Sequence, residues 1–377
     1  MRKLGIPQLL AWTAILLTSF CLIRLLIQQR RPGSAWGAPY LADAFTEKPP
    51  GLIVRGLVFY GRRDRAEILQ CYLERNLVDQ GGWLDEVIWV LNTTVDSDIT
   101  YLQQLLASEP RYRLQEVRSD GLGIGFHHAY DGLAPSSLYI KIDDDVVWIG
   151  EDTISRLVLA KLNHPEHLIV SANTIDSPLM SKIHLDRGAH RPYLPAVFQN
   201  TTDITTTWDY TEYPRWDGPS DYRLTWMDWV DPSVPWLPAA DIASTPIVDV
   251  EYDPWGNALT DWKLGCQAHL SLLQNIRDDT LSAYYHDAEE FHYTDGKRLS
   301  INFIAFLSDD ILPHLPFEDD DDELWLTVSL PAKLSKQVVV ENRALAAHFS
   351  FSYQHHLEKT DALARYKQYA KLHGCEL

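Results

Sequence analysis

Basic residues are scarce: 33 Lys and Arg stand against 52 Asp and Glu in 377 residues, a net charge of −19. Such a field repels phosphate backbones and no basic stripe interrupts it, so nucleic acid is excluded as a partner. Cysteine is scarcer still, with four in the chain. Cys21 falls in an apolar run, and Cys71, Cys266 and Cys375 remain for one disulfide and one thiol, the pairing left open. Neither a disulfide framework nor a metal-type Cys spacing is present. There is no internal repeat beyond a βα alternation, which excludes solenoids and propellers. At 46% hydrophobic and 23% charged, the composition is globular rather than disordered, collagen-like or coiled-coil. At roughly 150 residues per domain, the length allows two or three domains, or one large domain with an appendage.

The charge is unevenly placed. Residues 1–31 hold five basic and no acidic residues, which leaves −24 on the remainder. Leu4 to Ile23 is a twenty-residue run without a charge, long enough as a helix to span a hydrocarbon core of roughly 30 Å. Signal-peptide cores are shorter, and the nearest small-residue site, Ala42-Asp43-Ala44, lies well beyond the run. Residues 1–30 therefore read as a retained signal anchor with a transmembrane helix over 4–27, a cleaved signal being the alternative. Arg2 and Lys3 on one side face Arg24, Arg30 and Arg31 on the other, so charge alone does not orient it. Residues 31–51, rich in Pro, Gly and Ala, read as a stem. The triplets Asn92-Thr93-Thr94 and Asn200-Thr201-Thr202 are glycosylation acceptors if the body is lumenal.

From Leu52 the pattern is regular. Apolar runs at 52–60, 86–91, 112–117 and 138–142 read as strands, and 66–77 and a segment capped by Asp98 read as helices. Strand alternating with helix predicts an α/β fold whose mostly parallel sheet is flanked by helices. Residues 52–172 form the first half of a 52–377 body. Residues 173–298 read as an insertion of short elements, with seven of the thirteen Trp between Trp208 and Trp262. In the last part, 299–377, residues 324–330 (LWLTVSL) and 336–351 read as strand-like and Tyr353 to His373 as an amphipathic helix.

The strand Leu138 to Ile142 runs directly into Asp143-Asp144-Asp145. Ligands in open α/β sheets sit at the carboxyl ends of strands. Alternation turns Asp143 and Asp145 to one side and Asp144 to the other. Two converging carboxylates repel unless a cation lies between them, and a hard divalent ion, Mg²⁺ or Mn²⁺, suits that ligand set and leaves positions for phosphate oxygens. The competing reading is a solvated turn that caps the following helix.

An apolar strand ending in Asp-x-Asp, after about ninety residues of βα alternation behind an anchor and stem, resembles the GT-A fold glycosyltransferases of the Golgi. The segments YIKIDDDVVWI, SINFIAF and AHFSF also resemble fungal proteins described as nucleotide-diphospho-sugar transferases. The resemblance spans most of 52–353, and only the aspartate motif is sharply specific. It implies a GT-A-like (Rossmann-like) lumenal domain in the Golgi or endoplasmic reticulum, using a nucleotide-sugar donor, typically a UDP-sugar, with Mn²⁺ or Mg²⁺. The acceptor would be a hydroxyl on a glycan, lipid or small molecule. Asp143 and Asp145 would be the metal and ribose or diphosphate contacts, with the role of Asp144 beside them left open. Tyr60, Gly61, Arg62 and Arg63 would border the base and phosphates. His348 would be the late metal-ligating histidine, although the Gly-Lys-Pro-Trp context of some members is missing.

An inverting member needs a carboxylate base. The resemblance favours Asp321, Asp322 or Glu323 in the acid run 318–323, against Ser308-Asp309-Asp310. Gly121 to Gly125 lacks the G-x-G-x-x-G spacing, and His127 and His128 beside it read as ordinary histidines. The Trp-rich insertion could stack sugar rings or simply pack. A metal-dependent phosphoester hydrolase and a non-catalytic carbohydrate-binding protein remain the alternatives.

Overall fold

In the computed structural model, the residues described are 47–117, 126–200, 207–224, 229–249, 253, 256, 260–286, 290–293, 298–317, 321–349 and 354–377. The anchor, most of the stem, Gly121 to Gly125 and Glu318 to Asp320 lie outside them, as do Trp226 and Trp255. Among the described residues no helix is long and apolar enough to cross a membrane.

Chain order in the first half is β1 (Val54–Tyr60), α1 (Arg63–Arg75), β2 (Glu86–Leu91), α2 (Asp96–Ser108), β3 (Tyr112–Glu116), β4 (Leu138–Asp143) and β5 (Val146–Ile149). There follow α3 (Thr153–Asn163), β6 (His167–Ile175), α4 (Pro178–Asp186), β7 (Tyr193–Pro195), β8 (Trp236–Pro238), α5 (Trp262–Arg277), β9 (Glu290–Tyr293), β10 (Phe303–Leu307), β11 (Gln337–His348) and α6 (Ala362–Leu372). The main sheet has the order β3-β2-β1-β4-β10-β6-β11-β5, with β9 also pairing β11. Strands β1 to β4 pair in parallel, as do β6 and β11, whereas β5, β9 and β10 run against their neighbours. Six of the nine strands thus share one direction, and the sheet is mixed.

β1, β4 and β6 are buried along nearly their whole length, as strands covered on both faces are. Leu57, Tyr139, Ile304 and Phe306 share one core with Leu326 and Leu330 from the helical run that precedes β11. Cys71 of α1 is bonded to Cys375, just beyond α6, and Cys266 of α5 is a buried thiol.

Four sequence expectations change. Residues 324–330 are helical: Asp322–Leu324 leads into a π-helical turn, Trp325–Ser329, and then Leu330–Leu334. The Asp321 carboxylate accepts from the Leu324 amide at 2.9 Å, and this cap outweighs the strand-like look of the sequence. The segment 173–298 begins inside β6 and contains the sixteen-residue α5, capped by Asp261. Eleven of its sixteen residues are buried, the polar Gln267, His269, Ser271 and Asn275 among them, so it is a core helix rather than a short surface element. The final helix is shorter than expected, and Asp98 lies in the first turn of α2 rather than capping it.

Candidate functional site

Because β10 is antiparallel to β4, its amino end lies at the carboxyl end of β4, and the amide of Asp143 donates to the carbonyl of Asn302 at 2.8 Å. At the same edge, β11 ends at His348, where the register with β5 shifts. Such an irregularity re-aims a side chain. The Phe349 amide then donates to the Asp145 carbonyl at 2.7 Å. Four strand ends therefore meet at one point, and the side chains of Asp143, Asp145, Asn302 and His348 meet with them in a cleft of about 540 Å³.

Asp145 Oδ1 lies 2.9 Å from His348 Nε2, and Asp145 Oδ2 accepts from Arg62 Nη2 at 2.7 Å. Asn302 Nδ2 lies 2.9 Å from Asp143 Oδ2 and 3.1 Å from His348 Nε2, so it spans two of the three. Burial alone would raise the Asp145 carboxyl, but His348 and Arg62 outweigh it and hold it at about 2. Burial likewise works against a charged His348, and the Asp145 carboxylate reverses this and raises the imidazole.

Asp144 lines the same cleft, but its carboxylate is taken up by the joint between β1 and α1. It accepts from the amides of Gly61 and Arg62 at 2.7 and 2.5 Å and from Arg62 Nη2 at 2.7 Å. It thus satisfies amides at the start of α1, where the helix dipole favours a negative charge. Burial pushes its carboxyl up, with Arg62 opposing and Asp145 adding to the rise. Arg62 clamps both aspartates, and the joint between β1 and α1 is locked to the turn after β4.

Tyr60 is a correction. Alternation along β1 puts Phe59 and Gly61 on the cleft side. Tyr60 is buried facing away, its hydroxyl donating to the Asp98 carbonyl at 2.7 Å and its ring against Trp89. Arg63 borders a neighbouring hollow of about 340 Å³ that shares Arg62 with the cleft.

In the acid run, Asp322 and Glu323 line the cleft. Asp321 does not: it caps the helix and pairs with Arg298 at 2.5 Å. Burial raises the Asp322 carboxyl, and Tyr130 donates to it at 3.2 Å. Burial lifts Glu323 to about 7, with Arg298 and Lys141 opposing and Asp322 and Asp321 adding. Asp309 and Asp310 are engaged elsewhere, Asp309 with the Ser136 amide at 2.8 Å and Asp310 with Lys161 at 2.9 Å and with Lys336. His127 and His128 do not line the cleft, and His128 sits 2.9 Å from Asp131. Of the Trp-rich segment, Trp236 is fully buried against Trp262, Trp208 packs on Tyr369, and Trp229 is 72% exposed.

Sequence reasoning missed Lys141 and Asn302. Lys141 is buried, pairs with Asp143, donates to the Ile301 carbonyl at 2.9 Å and lies 4.7 Å from the Phe59 ring centre. Its signal was present: a lysine inside an apolar strand, two residues before an aspartate, shares that aspartate's face. Asn302 carried no comparable signal, because its place depends on β10 running antiparallel.

The fold and cleft define a mixed α/β domain with a candidate aspartate–histidine cation site at the carboxyl ends of its strands. Asp143, Asp145 and His348 each offer one ligand atom, all within 4.8 Å of one another. Oxygen and imidazole donors in that number suit Mn²⁺ or Mg²⁺ and leave open positions. The contact between Asp145 and His348 holds two of the donors where such an ion would take up both.

No family model and no curated protein sequence matches the chain. Among solved structures, the chain is similar to GalNAc-T7 with UDP, GalNAc and Mn²⁺, at 9% identity and TM-score 0.41, over 81% of this chain and 44% of that one. It is also similar to 4-diphosphocytidyl-2C-methyl-D-erythritol synthase from Anaerococcus prevotii, at 15% identity and TM-score 0.25, over 34% of this chain and 56% of that one. A third likeness is to residues 1–349 of S. aureus TarS, at 12% identity and TM-score 0.24, over 32% and 35%. The chain thus spans about half or less of each of these proteins, and all three scores lie below 0.5, the level at which a likeness begins to speak to a shared fold.

Proposed function

We propose that the protein is a metal-dependent glycosyltransferase that moves a sugar from a nucleotide-diphosphate donor, a UDP-sugar, to a hydroxyl acceptor. The observation that carries this reading is the convergence of Asp143, Asp145 and His348 in a cleft that also holds Arg62, Asp322 and Glu323. When bound there, a Mn²⁺ or Mg²⁺ ion would supply Lewis-acid neutralisation of the leaving diphosphate. On a body of net charge −24 beyond residue 31, that charge has to come from somewhere.

The protein's own residues do the rest. Asp144 and Arg62 lock the β1–α1 joint against the metal-binding turn, so the donor's diphosphate meets a pre-formed edge. Asn302 fixes Asp143 and His348 in place. In the transfer step the acceptor oxygen bonds to the anomeric carbon. The bond from that carbon to the diphosphate oxygen breaks with its electron pair leaving on the diphosphate, and Glu323 takes the hydroxyl proton. A carboxyl at about 7 is poised for this, because half of it is ionised near neutral pH.

A lumenal setting on an N-terminal anchor is part of the same proposal. The uncharged run Leu4 to Ile23 and the Cys71–Cys375 bond support it, since such bonds persist in oxidising compartments. Asn200 is exposed and suits a glycan there, whereas Asn92 lines the cleft, where a glycan would block the donor.

Calorimetry against nucleoside diphosphates tests the reading. UDP should bind with Mn²⁺ and lose its affinity in EDTA. Turnover of phosphoesters without consumption of any nucleotide sugar would overturn it. A second expectation concerns Asn302→Ala. Partners of metal ligands typically govern roughly 10–100-fold in metal affinity, so Mn²⁺ titration of this variant should show a loss of that size in an unchanged fold.

A further inference from the structure

At the opposite end of β6 from the cleft, His164, Glu166 and His167 form a second set of ligand atoms, all within 4.8 Å of one another. His164 is the residue that closes α3, Glu166 lies in the turn and His167 opens β6. His164 Nδ1 lies 3.0 Å from Glu166 Oε1, and the two imidazole rings lie nearly parallel with centres 4.8 Å apart. The side chains of His164 and Glu166 are 46% and 57% exposed, and His167 is buried.

We infer that this turn is a binding site for a borderline transition-metal ion, Zn²⁺ above all, separate from the ion proposed in the cleft and independent of the function proposed for it. Two imidazoles and one carboxylate are nitrogen-rich for Mg²⁺ or Ca²⁺ and match Zn²⁺. Zn–N bonds of about 2.0–2.1 Å in tetrahedral array put ligand atoms roughly 3.3 Å apart, so the three must contract. The buried His167 is the fixed member, while His164 must rotate out of the ring stack, which its exposure permits. The carboxyl end of the eleven-residue α3 adds a partial negative charge at His164. The neighbouring cation, Lys161, is engaged by the His167 carbonyl and by Asp310, which also pairs with Lys336.

The consequence is a clamp. The Glu166 carbonyl accepts from the amide of Gln337, the first residue of β11, at 3.0 Å, and β11 ends at His348. An ion here ties α3, β6 and the start of β11 together.

The test uses the full chain without a polyhistidine tag. After EDTA treatment and its removal, the chain is dialysed against micromolar Zn²⁺ and bound zinc is measured by elemental analysis. Asp143→Asn/Asp145→Asn is the parent, so that the cleft does not contribute. This parent should retain one equivalent of zinc and melt at a higher temperature than its zinc-free form. Adding His164→Asn and Glu166→Gln, both at half-exposed positions, should abolish the retained equivalent and the thermal shift while the zinc-free melting temperature stays the same. Equal zinc in both chains, or none in the parent, overturns the proposal.

Discussion

Asp143→Asn should lower kcat/KM for metal-dependent sugar transfer by roughly a thousandfold or more while the chain still folds. The substitution removes one charged ligand from a set of three and, with it, the carboxylate partner of the buried Lys141. An amide oxygen remains to accept from Asn302, and Lys141 keeps the Ile301 carbonyl and the face of Phe59. Asp145→Asn should cost the same activity, and stability through different partners, because Asp145 is buried and bonded to both His348 and Arg62. Breaking a fully buried pair costs about 3–5 kcal/mol. Arg62 is 42% exposed and keeps Asp144, so about 2 kcal/mol is the better expectation here. Turnover at saturating Mn²⁺, Mn²⁺ affinity and urea midpoints separate the two variants. An Asp143→Asn protein with normal Mn²⁺ affinity and a tenth or more of the parent's activity would remove the cation site from the mechanism.

The difference between these variants also marks how far the sequence could be read. Three aspartates directly after an apolar strand place the site at that strand's end, because this is local information, but the expected split by alternation does not hold: Asp144 and Asp145 lie in the turn after β4 and all three line the cleft. The α/β class was legible for the same reason, since strand and helix periods alternate plainly through the first ninety residues of the body. What joins the site together was not legible. Asn302 reaches Asp143 because β10 runs antiparallel between β4 and β6, and no local pattern encodes strand direction. The helical state of 324–330 depends on the Asp321 cap and on Trp325, Leu326 and Leu330 entering the core, a tertiary effect that overrides local β preference. Tyr60 shows the opposite limit. A resemblance assigned the whole Tyr60-Gly61-Arg62 stretch to the ligand, but strand alternation turns Tyr60 away from it.

Glu323→Gln should lower kcat by roughly a hundred- to ten-thousandfold with Mn²⁺ and UDP affinity unchanged. Glutamine keeps the size and loses the ability to take a proton, so the loss should fall on the chemical step alone. In the parent, activity should rise as pH passes through about 7 and level above it, since only the carboxylate form accepts the hydroxyl proton. The variant's residual rate should show no such rise. Stability runs the other way. Burial raises the folded-state value above the ordinary 4.5, so the folded chain holds this proton more tightly than the unfolded chain. That contribution is fully present below the ordinary value and is lost as pH rises through about 7. At pH 8 the parent carries a half-buried carboxylate that the variant lacks, and the variant should therefore melt no lower than the parent. Lost activity with undiminished stability at pH 8 is the signature of a base, because a merely structural Glu323 would lose both together. If Asp322→Asn abolishes the pH step and Glu323→Gln retains it, the base is not Glu323. Tyr130 would then matter directly, since it donates to Asp322.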